Sequence, residues 1–284
     1  PVEVIVVVNN SEDAENSVRE QNLKSIDEIN SWIRDNPDSR ISCNVMSAMN
    51  LPAKHAGVGL ARKIGMDAAL RRFAAINYNG LIVCLDADCT VHPSYLKELE
   101  SNFCTENFVA GNIYYEHPLA GDIEATPSGI GKYELGLRYY VNALRFAGYP
   151  YSYHTIGSSM AVSAITYAKS GGMNKRKAGE DFYFLHKLIP LGGFQELNST
   201  AVYPSSRVSE RVSFGTGKAM LKWEEQISSG QSRELETYCF KTFIDLKEFI
   251  ASIIGLRECT SKVLYTNAVK TLPHSIQEFL MSQN

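Results

Sequence analysis

The apolar residues in the first part of the chain alternate between strand-like and helix-like patterns. Three short apolar runs rich in β-branched residues predict strands at Val4–Val8, Ile41–Met46 and Leu81–Leu85. Between them, helical patterns predict helices at Val18–Arg34 and Leu60–Ala75. Strands that alternate with helices predict an α/β fold with a mixed, mainly parallel central sheet flanked by helices.

The pattern changes in the second half of the chain. Phe108–Tyr115 predicts a further strand, and apolar residues at helical spacing over Tyr133–Leu144 predict an amphipathic helix. The C-terminal part is helical throughout, with helices predicted at Lys218–Ile227, Thr237–Ile254 and Ser275–Met281. We therefore expect one α/β domain over residues 1–215 and a helical C-terminal extension over residues 216–284.

Composition and charge narrow the class of protein. The 284 residues are 44% hydrophobic and 21% charged, which suits a folded globular protein and argues against disorder. The formal net charge of −3 gives no electrostatic reason to expect nucleic acid as the partner. No uninterrupted apolar stretch approaches the roughly 18–20 residues that cross a bilayer. The six cysteines are scattered without a Cys-x-x-Cys pair, as expected for reduced thiols in the cytoplasm.

Two carboxylates directly follow the third predicted strand. Asp86 and Asp88 lie at its carboxyl end, which is where ligands bind in open α/β sheets. Because the chain turns there, both side chains can reach one divalent cation. Their hard oxygens suit Mg²⁺ or Mn²⁺ bound together with substrate phosphates. A turn rich in Asp, with Asp88 capping a helix at Pro93–Glu100, is the structural alternative.

A second acidic pair, Glu180 and Asp181, begins a helix that follows Gly179. Acidic residues in a first helical turn complement the helix dipole, and this alone is a sufficient structural reason for the pair. The functional interpretation is a carboxylate held at a helix start beside a cleft, where it acts as a general base. The sequence leaves both interpretations open.

Arginines supply the candidate cations. Arg62 lies one turn into the helix that follows a glycine-containing loop, and it is either a surface residue or a fixed cation over a phosphate. Arg207 and Arg211 belong to a basic loop that either closes on a diphosphate or is simply solvated. We interpret His154 and His186, which lie near these segments, as structural histidines.

Taken together, these motifs resemble those of family-2 glycosyltransferases with the GT-A fold, in particular bacterial-type, non-processive members. Leu85–Asp88 is similar to the family's Asp-x-Asp motif. Gly57–Ala69 is similar to its Gly…Ala-Arg-Asn-x-Gly helix, although Lys63 stands where Asn is usual. Gly179–Asp181 matches the later Glu-Asp element on the acceptor side. The resemblance covers about residues 2–217, with the three motifs in the family's order.

The resemblance implies a metal-dependent, inverting transfer of a sugar from a nucleotide-diphosphate sugar to an acceptor hydroxyl. It implies Mg²⁺ or Mn²⁺ held by Asp88, with Asp86 contributing to the metal, the ribose or both. It makes Asp181 the catalytic base, with Glu180 as the second candidate, and it assigns Arg62 to the nucleotide. The Gln-x-x-Arg-Trp element of processive members is absent after Asp181, which implies transfer of single residues.

The resemblance also concerns the beginning of the chain. Val4–Asn10 is similar to the family's second strand, so we expect the family's first strand to precede Pro1 in the natural protein. Asn9 stands at the family's base-contacting Asp. An amide both donates and accepts, so it is compatible with uracil without fixing the nucleotide. The implied partners are a nucleotide-sugar donor and a saccharide or lipid-linked acceptor, in the cytoplasm or at the inner face of the membrane.

Two other functions stay open at this point. Asp86–Val91 also matches the Asp-x-Asp-x-Thr-Val box of haloacid-dehalogenase-like phosphatases, in which Asp86 would be the nucleophile and Asp88 the acid/base. That family's later Gly-Asp-x-x-x-Asp motif has no complete counterpart here. A non-catalytic, transferase-like scaffold is the second alternative, and the replacements at Asn9 and Lys63 support it.

Overall fold

The chain begins with a parallel strand–helix–strand unit. The computed structural model describes residues 1–38, 40–103, 108–119, 127–207, 215–230, 236–257 and 261–282. β1 (Val2–Ser11) and β2 (Ile41–Leu51) pair in parallel and are joined by α1 (Asn16–Asp35), which packs against both strands. The β-branched run correctly predicts β1, but the ladder with β2 extends the strand beyond that run at both ends.

Five further strands form a separate sheet. They are β3 (Leu81–Cys84), β4 (Thr90–Val91), β5 (Ala110–Tyr115), β6 (Met160–Ser163) and β7 (Phe194–Tyr203). Their order across the sheet is β3-β6-β5-β7-β4. β5 and β7 pair in parallel, whereas the pairs β3–β6, β6–β5 and β7–β4 are antiparallel.

The α/β class and the mixed sheet are confirmed, but the prediction of a mainly parallel sheet is wrong. Of the five strand pairs in the described residues, only β1–β2 and β5–β7 are parallel. Regular alternation of strand and helix, which predicts parallel pairing, ends at β3. After β3, the chain passes through the turn that contains Asp86 and Asp88 and enters β4 without an intervening helix. β6 is then antiparallel to both of its neighbours, β3 and β5.

Helices α2 (Val58–Ala75) and α6 (Glu180–Leu188) enclose the main apolar core. α2 packs against β1, β3 and α6, while α5 (Ala164–Lys169) packs against α2 and β6, and α3 (Tyr95–Phe103) packs against β7. The core draws buried side chains mainly from α2, β3, β6 and α6, among them Met66, Ile82, Met160, Val162, Phe184, Leu185 and Leu188. This packing brings the first turns of α2 and α6 to the end of β3.

The remaining helices form a second group. They are α4 (Pro127–Phe146), α7 (Thr216–Ser228), α8 (Phe240–Arg257), α9 (Lys262–Val269) and α10 (His274–Ser282). α4 packs against α7 and α8, and α8 packs against α9 and α10. In the ranges that the structure describes, no helix combines the length and the apolar character needed to cross a lipid bilayer.

The chain divides into two compact units. One is formed mainly by Pro1–Pro118 and Thr155–Ser205, which contain both sheets. The other is formed mainly by Leu119–His154 and Thr216–Asn284, so α4 belongs with the C-terminal helices. The boundary of independent domains near residue 215 stays a prediction.

Candidate functional site

A buried arginine lies between two acidic groups of the first unit. Nη2 of Arg62 is 2.5 Å from Oδ1 of Asp86, and its Nη1 donates to Oε1 of Glu180. The side chains of Arg62 and Glu180 are 11% and 4% exposed, whereas that of Asp86 is 41% exposed. Arg62 therefore joins the turn after β3 to the first residue of α6, although 118 residues separate it from Glu180.

Two glycines, which have no side chain, leave room for the side chains of Arg62 and Glu180. A Cβ on Gly157 would lie 2.4 Å from Nη1 of Arg62. A Cβ on Gly59 would lie 2.2 Å from the carbonyl oxygen of Arg176 and 2.9 Å from Cβ of Glu180. Any larger residue would therefore displace the guanidinium or the backbone. Neither glycine is predicted as a site residue from the sequence, because nothing in the sequence distinguishes them from ordinary turn glycines.

Burial and neighbouring charges together set the pKa values of Arg62 and Glu180. Desolvation raises the pKa of Glu180 to about 7, although the charge of Arg62 acts in the opposite direction. Burial would by itself lower the pKa of Arg62, but the charges of Asp86 and Glu180 outweigh it and raise that pKa. Arg62 is thus a permanent cation, while Glu180 changes its charge near neutral pH.

Asp181 follows in the first turn of α6 and is half-buried. Desolvation raises the pKa of its carboxyl group, while hydrogen bonds from the backbone N–H groups of Phe182 and Gly157 lower it. The Phe182 nitrogen lies 2.7 Å from Oδ1 of Asp181. The net upward shift makes this carboxylate a better proton acceptor than an ordinary aspartate, which is the property a general base needs.

Asp86 and Asp88 lie in the turn between β3 and β4. Asp88 is exposed, and the Cys89 thiol is 3.9 Å from its Oδ1. In the part of the chain that the structure describes, no group of three or more His, Cys, Asp or Glu residues could hold a metal ion by itself. Two carboxylates suit Mg²⁺ or Mn²⁺ as part of its ligand set, with substrate phosphates and water as the remaining ligands. A cation at this turn stays a prediction.

The polar end of β1 contains Asn9, the residue that the sequence predicts to contact the base, followed by the buried amide of Asn10. Asn9 pairs with Ala48, and its carbonyl accepts a hydrogen bond from Nδ2 of Asn22 at 3.1 Å. No hydrogen bond or ion pair within the described ranges joins the Asn9 side chain to the Arg62 cluster. The adjacent Asn10 is 5% exposed, and its Oδ1 has no hydrogen-bond partner within those ranges.

Lys63, the departure from the family pattern, has a structural partner. Its Nζ lies 3.0 Å from a carboxylate oxygen of Asp67, one helical turn along α2. The hydroxyl of buried Tyr167 donates to Asp67 Oδ1 at 2.6 Å and accepts from the backbone N–H of Met173 at 3.1 Å. Lys63 therefore belongs to a network that ties α2 to the segment leading to α6, outside the Arg62 cluster.

Some sequence predictions fall on residues outside the described ranges. Arg211 and most of its basic loop, residues 208–214, are among them, so the role of this loop stays a prediction. Cys104 and Cys259 also lie outside. The described cysteines carry free thiols: Cys43, Cys84, Cys89 and Cys239.

Comparisons with known proteins give little further information. No family model matches the chain, and no curated protein matches it. Among solved structures, a crystal structure of S. aureus TarS residues 1–349 in complex with UDP-GlcNAc is similar, with 14% identity over 97% of this chain and 82% of that chain, at a TM-score of 0.45. A crystal structure of a mycobacterial protein has 16% identity, covers 91% of this chain and 74% of that chain, and has a TM-score of 0.35. Similarities this low carry no argument about this chain, so its function is inferred from the site.

Proposed function

We propose that this chain is a glycosyltransferase that moves a sugar from a nucleotide-diphosphate sugar to an acceptor hydroxyl. The observation that carries the proposal is the bridge made by Arg62 between Asp86 and Glu180. This bridge brings an acidic turn at a strand end beside a half-buried carboxylate, Asp181, at a helix start. One motif suits the diphosphate side of the donor and the other the acceptor side, and both are needed for group transfer.

The charge of the site explains why a divalent cation belongs to the proposal. The two acidic motifs contain four carboxyl groups, and Arg62 forms ion pairs with two of them, Asp86 and Glu180. A diphosphate brought to this acidic region would be repelled unless further positive charge came with it. Asp88, with Asp86, would hold the cation. A bound Mg²⁺ or Mn²⁺ supplies charge that stabilises the departing nucleoside diphosphate.

The proposed reaction is a single displacement at the anomeric carbon. Asp181 takes the proton from the acceptor hydroxyl as its oxygen forms a bond to that carbon. The bond from the same carbon to the diphosphate oxygen breaks, and its electron pair leaves with the nucleoside diphosphate. One displacement inverts the configuration. The upward pKa shift of Asp181 and the N–H groups that orient its carboxylate support its role as the base.

Glu180 has a positioning role in this proposal. Its carboxylate is nearly inaccessible to solvent and pairs with Arg62, so it is poorly placed to receive a proton from an acceptor. It holds Arg62 towards Asp86 and the donor. Among the two acidic residues at the start of α6, Asp181 is therefore the preferred base and Glu180 the second candidate.

The alternative phosphatase reaction needs Asp86 as the nucleophile. One oxygen of this carboxylate is 2.5 Å from Nη2 of Arg62. A close guanidinium stabilises the negative charge that a nucleophile must share with phosphorus, and this lowers its reactivity. The geometry of Asp86 thus favours a structural and binding role. Hydrolysis of an aryl phosphate with Mg²⁺ would support the phosphatase instead.

Donor binding is the first experiment. A thermal-shift panel of UDP-, GDP- and dTDP-sugars, with and without Mn²⁺, should identify at least one donor that stabilises the wild type only with the cation. Asp88→Ala should abolish this stabilisation, whereas Asp27→Ala, which removes an exposed carboxylate on α1, should retain it. A panel without any Mn²⁺-dependent nucleotide-sugar binding would refute the proposal.

The base is tested with the donor so identified. Asp181→Asn should retain donor binding but lose transfer by a factor of roughly 10² or more, the usual contribution of general-base catalysis. Donor hydrolysis measured in parallel separates loss of the base from loss of the donor site. Wild-type transfer by Asp181→Asn would remove this residue from the mechanism.

A further inference from the structure

Helix α6 exposes aromatic side chains directly after the proposed base. Phe182 is 42% exposed and Tyr183 46%, whereas Phe184 of the same helix is fully buried in the core. The ring centroid of Phe182 lies 4.0 Å from that of His186 and 5.3 Å from that of Tyr183. We call Phe182, Tyr183 and His186 the α6 aromatic platform. Its residues belong to one described helix of the first unit.

The platform is held in a defined arrangement. The rings of Phe182 and His186 are inclined by 34°, close to stacking, while Tyr183 meets Phe182 edge-on at 90°. The guanidinium carbon of Arg176 lies 3.7 Å from the centre of the Tyr183 ring, so a cation–π contact fixes this ring from the neighbouring loop. Partial burial lowers the pKa of His186, which favours a neutral ring at pH 7.

Covalent geometry sets an upper limit on the distance between the ring of Phe182 and the proposed base. Oδ1 of Asp181 accepts the backbone N–H of Phe182 at 2.7 Å. Standard bond lengths put the first ring carbon of Phe182 within about 4 Å of that nitrogen, whatever its rotamer. The ring of Phe182 therefore begins within about 7 Å of the Asp181 carboxylate. A hexose lying on the ring could present a hydroxyl to this carboxylate.

The chemistry of the platform favours a sugar over an acyl chain. The face of an aromatic ring is electron-rich, and the C–H groups on one face of a pyranose carry a partial positive charge. The platform is also bordered by polar groups that an acyl chain could not use, since Tyr183, His186 and Arg176 can all form hydrogen bonds. The exposed ring of Phe182, with hydrogen-bonding groups beside it, suits a sugar ring, which has C–H faces and hydroxyl edges.

We propose that the α6 aromatic platform is the acceptor subsite, where a saccharide acceptor stacks one sugar ring on Phe182 with its attacking hydroxyl at Asp181. This inference rests on the proposed function and adds the class of acceptor. Phe182 is a specificity-determining residue in this arrangement, and Tyr183 and His186 shape the subsite around it.

Direct binding of sugars tests the subsite. Saturation-transfer NMR and calorimetry would use cellotetraose, chitotetraose and the methyl glycosides of glucose, galactose and mannose, with UDP and Mn²⁺ present. 1-Octanol serves as an apolar probe without a sugar ring. At least one sugar should bind to the wild type. Phe182→Ala should weaken its binding by roughly threefold to tenfold, the equivalent of one aromatic contact. Phe182→Trp should retain binding.

The controls separate this inference from the proposed function. Trp32→Ala removes an exposed aromatic residue on α1, 58% exposed, and should leave sugar binding unchanged. Mn²⁺-dependent donor stabilisation should be the same in Phe182→Ala and the wild type. Three results would refute the subsite and leave the proposed transferase intact, provided that donors bind. They are no binding of any sugar probe, binding of 1-octanol instead, and sugar binding by Phe182→Ala at the wild-type level. If no donor binds at all, it is the proposed function that fails.

Discussion

Removing the charge of Arg62 is the sharpest test of the buried cluster. Arg62→Met fills much of the same space but leaves the Glu180 carboxylate buried without its partner. Breaking a buried ion pair in this way costs about 3–5 kcal/mol. The cost of a buried pair applies here because the side chains of Arg62 and Glu180 are only 11% and 4% exposed. Such a loss is a large part of the roughly 5–15 kcal/mol by which native proteins are stable.

Urea unfolding at pH 8, followed by circular dichroism, measures the effect. With a slope of roughly 2–3 kcal/mol per molar urea, the midpoint should fall by about 1–2.5 M. Arg72→Met on the same helix is the matched control. Nε of Arg72 is 2.8 Å from Oε1 of Glu3, but these side chains are 42% and 30% exposed. An exposed pair is worth about 1 kcal/mol or less, so the control midpoint should hardly move.

Two further measurements show whether the uncompensated charge is the cause. The loss caused by Arg62→Met should be smaller at pH 5 than at pH 8, because Glu180, whose pKa is raised to about 7, is then mostly protonated. Adding Glu180→Gln to Arg62→Met should recover much of the stability, since no buried charge remains. Equal losses at both pH values, with no recovery in the double variant, would refute the reasoning.

Other consequences of the structure can be checked in the same assays. Gly157→Ala should lower the urea midpoint and weaken donor binding, because its Cβ would lie 2.4 Å from a guanidinium nitrogen of the cluster; Gly131→Ala, where a Cβ meets nothing within 4 Å, is its control. Tyr167→Phe should cost about 2 kcal/mol of unfolding free energy, since its hydroxyl donates to the Asp67 carboxylate at 2.6 Å. The contribution of Glu180 to stability should fall as pH rises from about 4.5 to about 7, because the folded state keeps a proton that the unfolded state has released. The difference in Tm between the wild type and Glu180→Gln should therefore change across this window, and a constant difference would contradict the raised pKa of Glu180.

Much of the first unit follows from local sequence patterns. The β-branched run at Val4–Val8 and the apolar run at Leu81–Leu85 correspond to β1 and β3, and the helix predicted at Leu60–Ala75 corresponds to α2 at Val58–Ala75. These elements are determined by periodicity and by residue types that suit a strand or a helix, both of which are local properties. The helix start at Glu180 is likewise predicted by a glycine followed by acidic residues.

The pairing of strands could not be predicted in the same way. The strand at Phe194–Tyr203, which the sequence analysis missed, mixes apolar and polar residues without strict alternation, because its two faces are unevenly buried. Whether β6 pairs in parallel depends on long-range packing rather than on its own four residues. The site shows the same limit: the acidic motifs are visible in the sequence, but the contact of Arg62 with Glu180 joins residues 118 positions apart.

The buried cluster is better explained by function than by stability. A buried ion pair gains little over apolar residues of similar volume, and replacing both partners is often neutral or stabilising. Here the pair also needs glycine at positions 59 and 157, and it holds Glu180 at a pKa near neutrality. If the double variant Arg62→Met with Glu180→Gln unfolds at the wild-type urea concentration yet fails to bind any nucleotide sugar, stability cannot be the reason for the charges. The remaining reason is to keep a fixed cation at the turn of Asp86, where the proposed reaction needs positive charge. Wild-type donor binding by the same variant would instead make the cluster dispensable and remove Arg62 from the donor site.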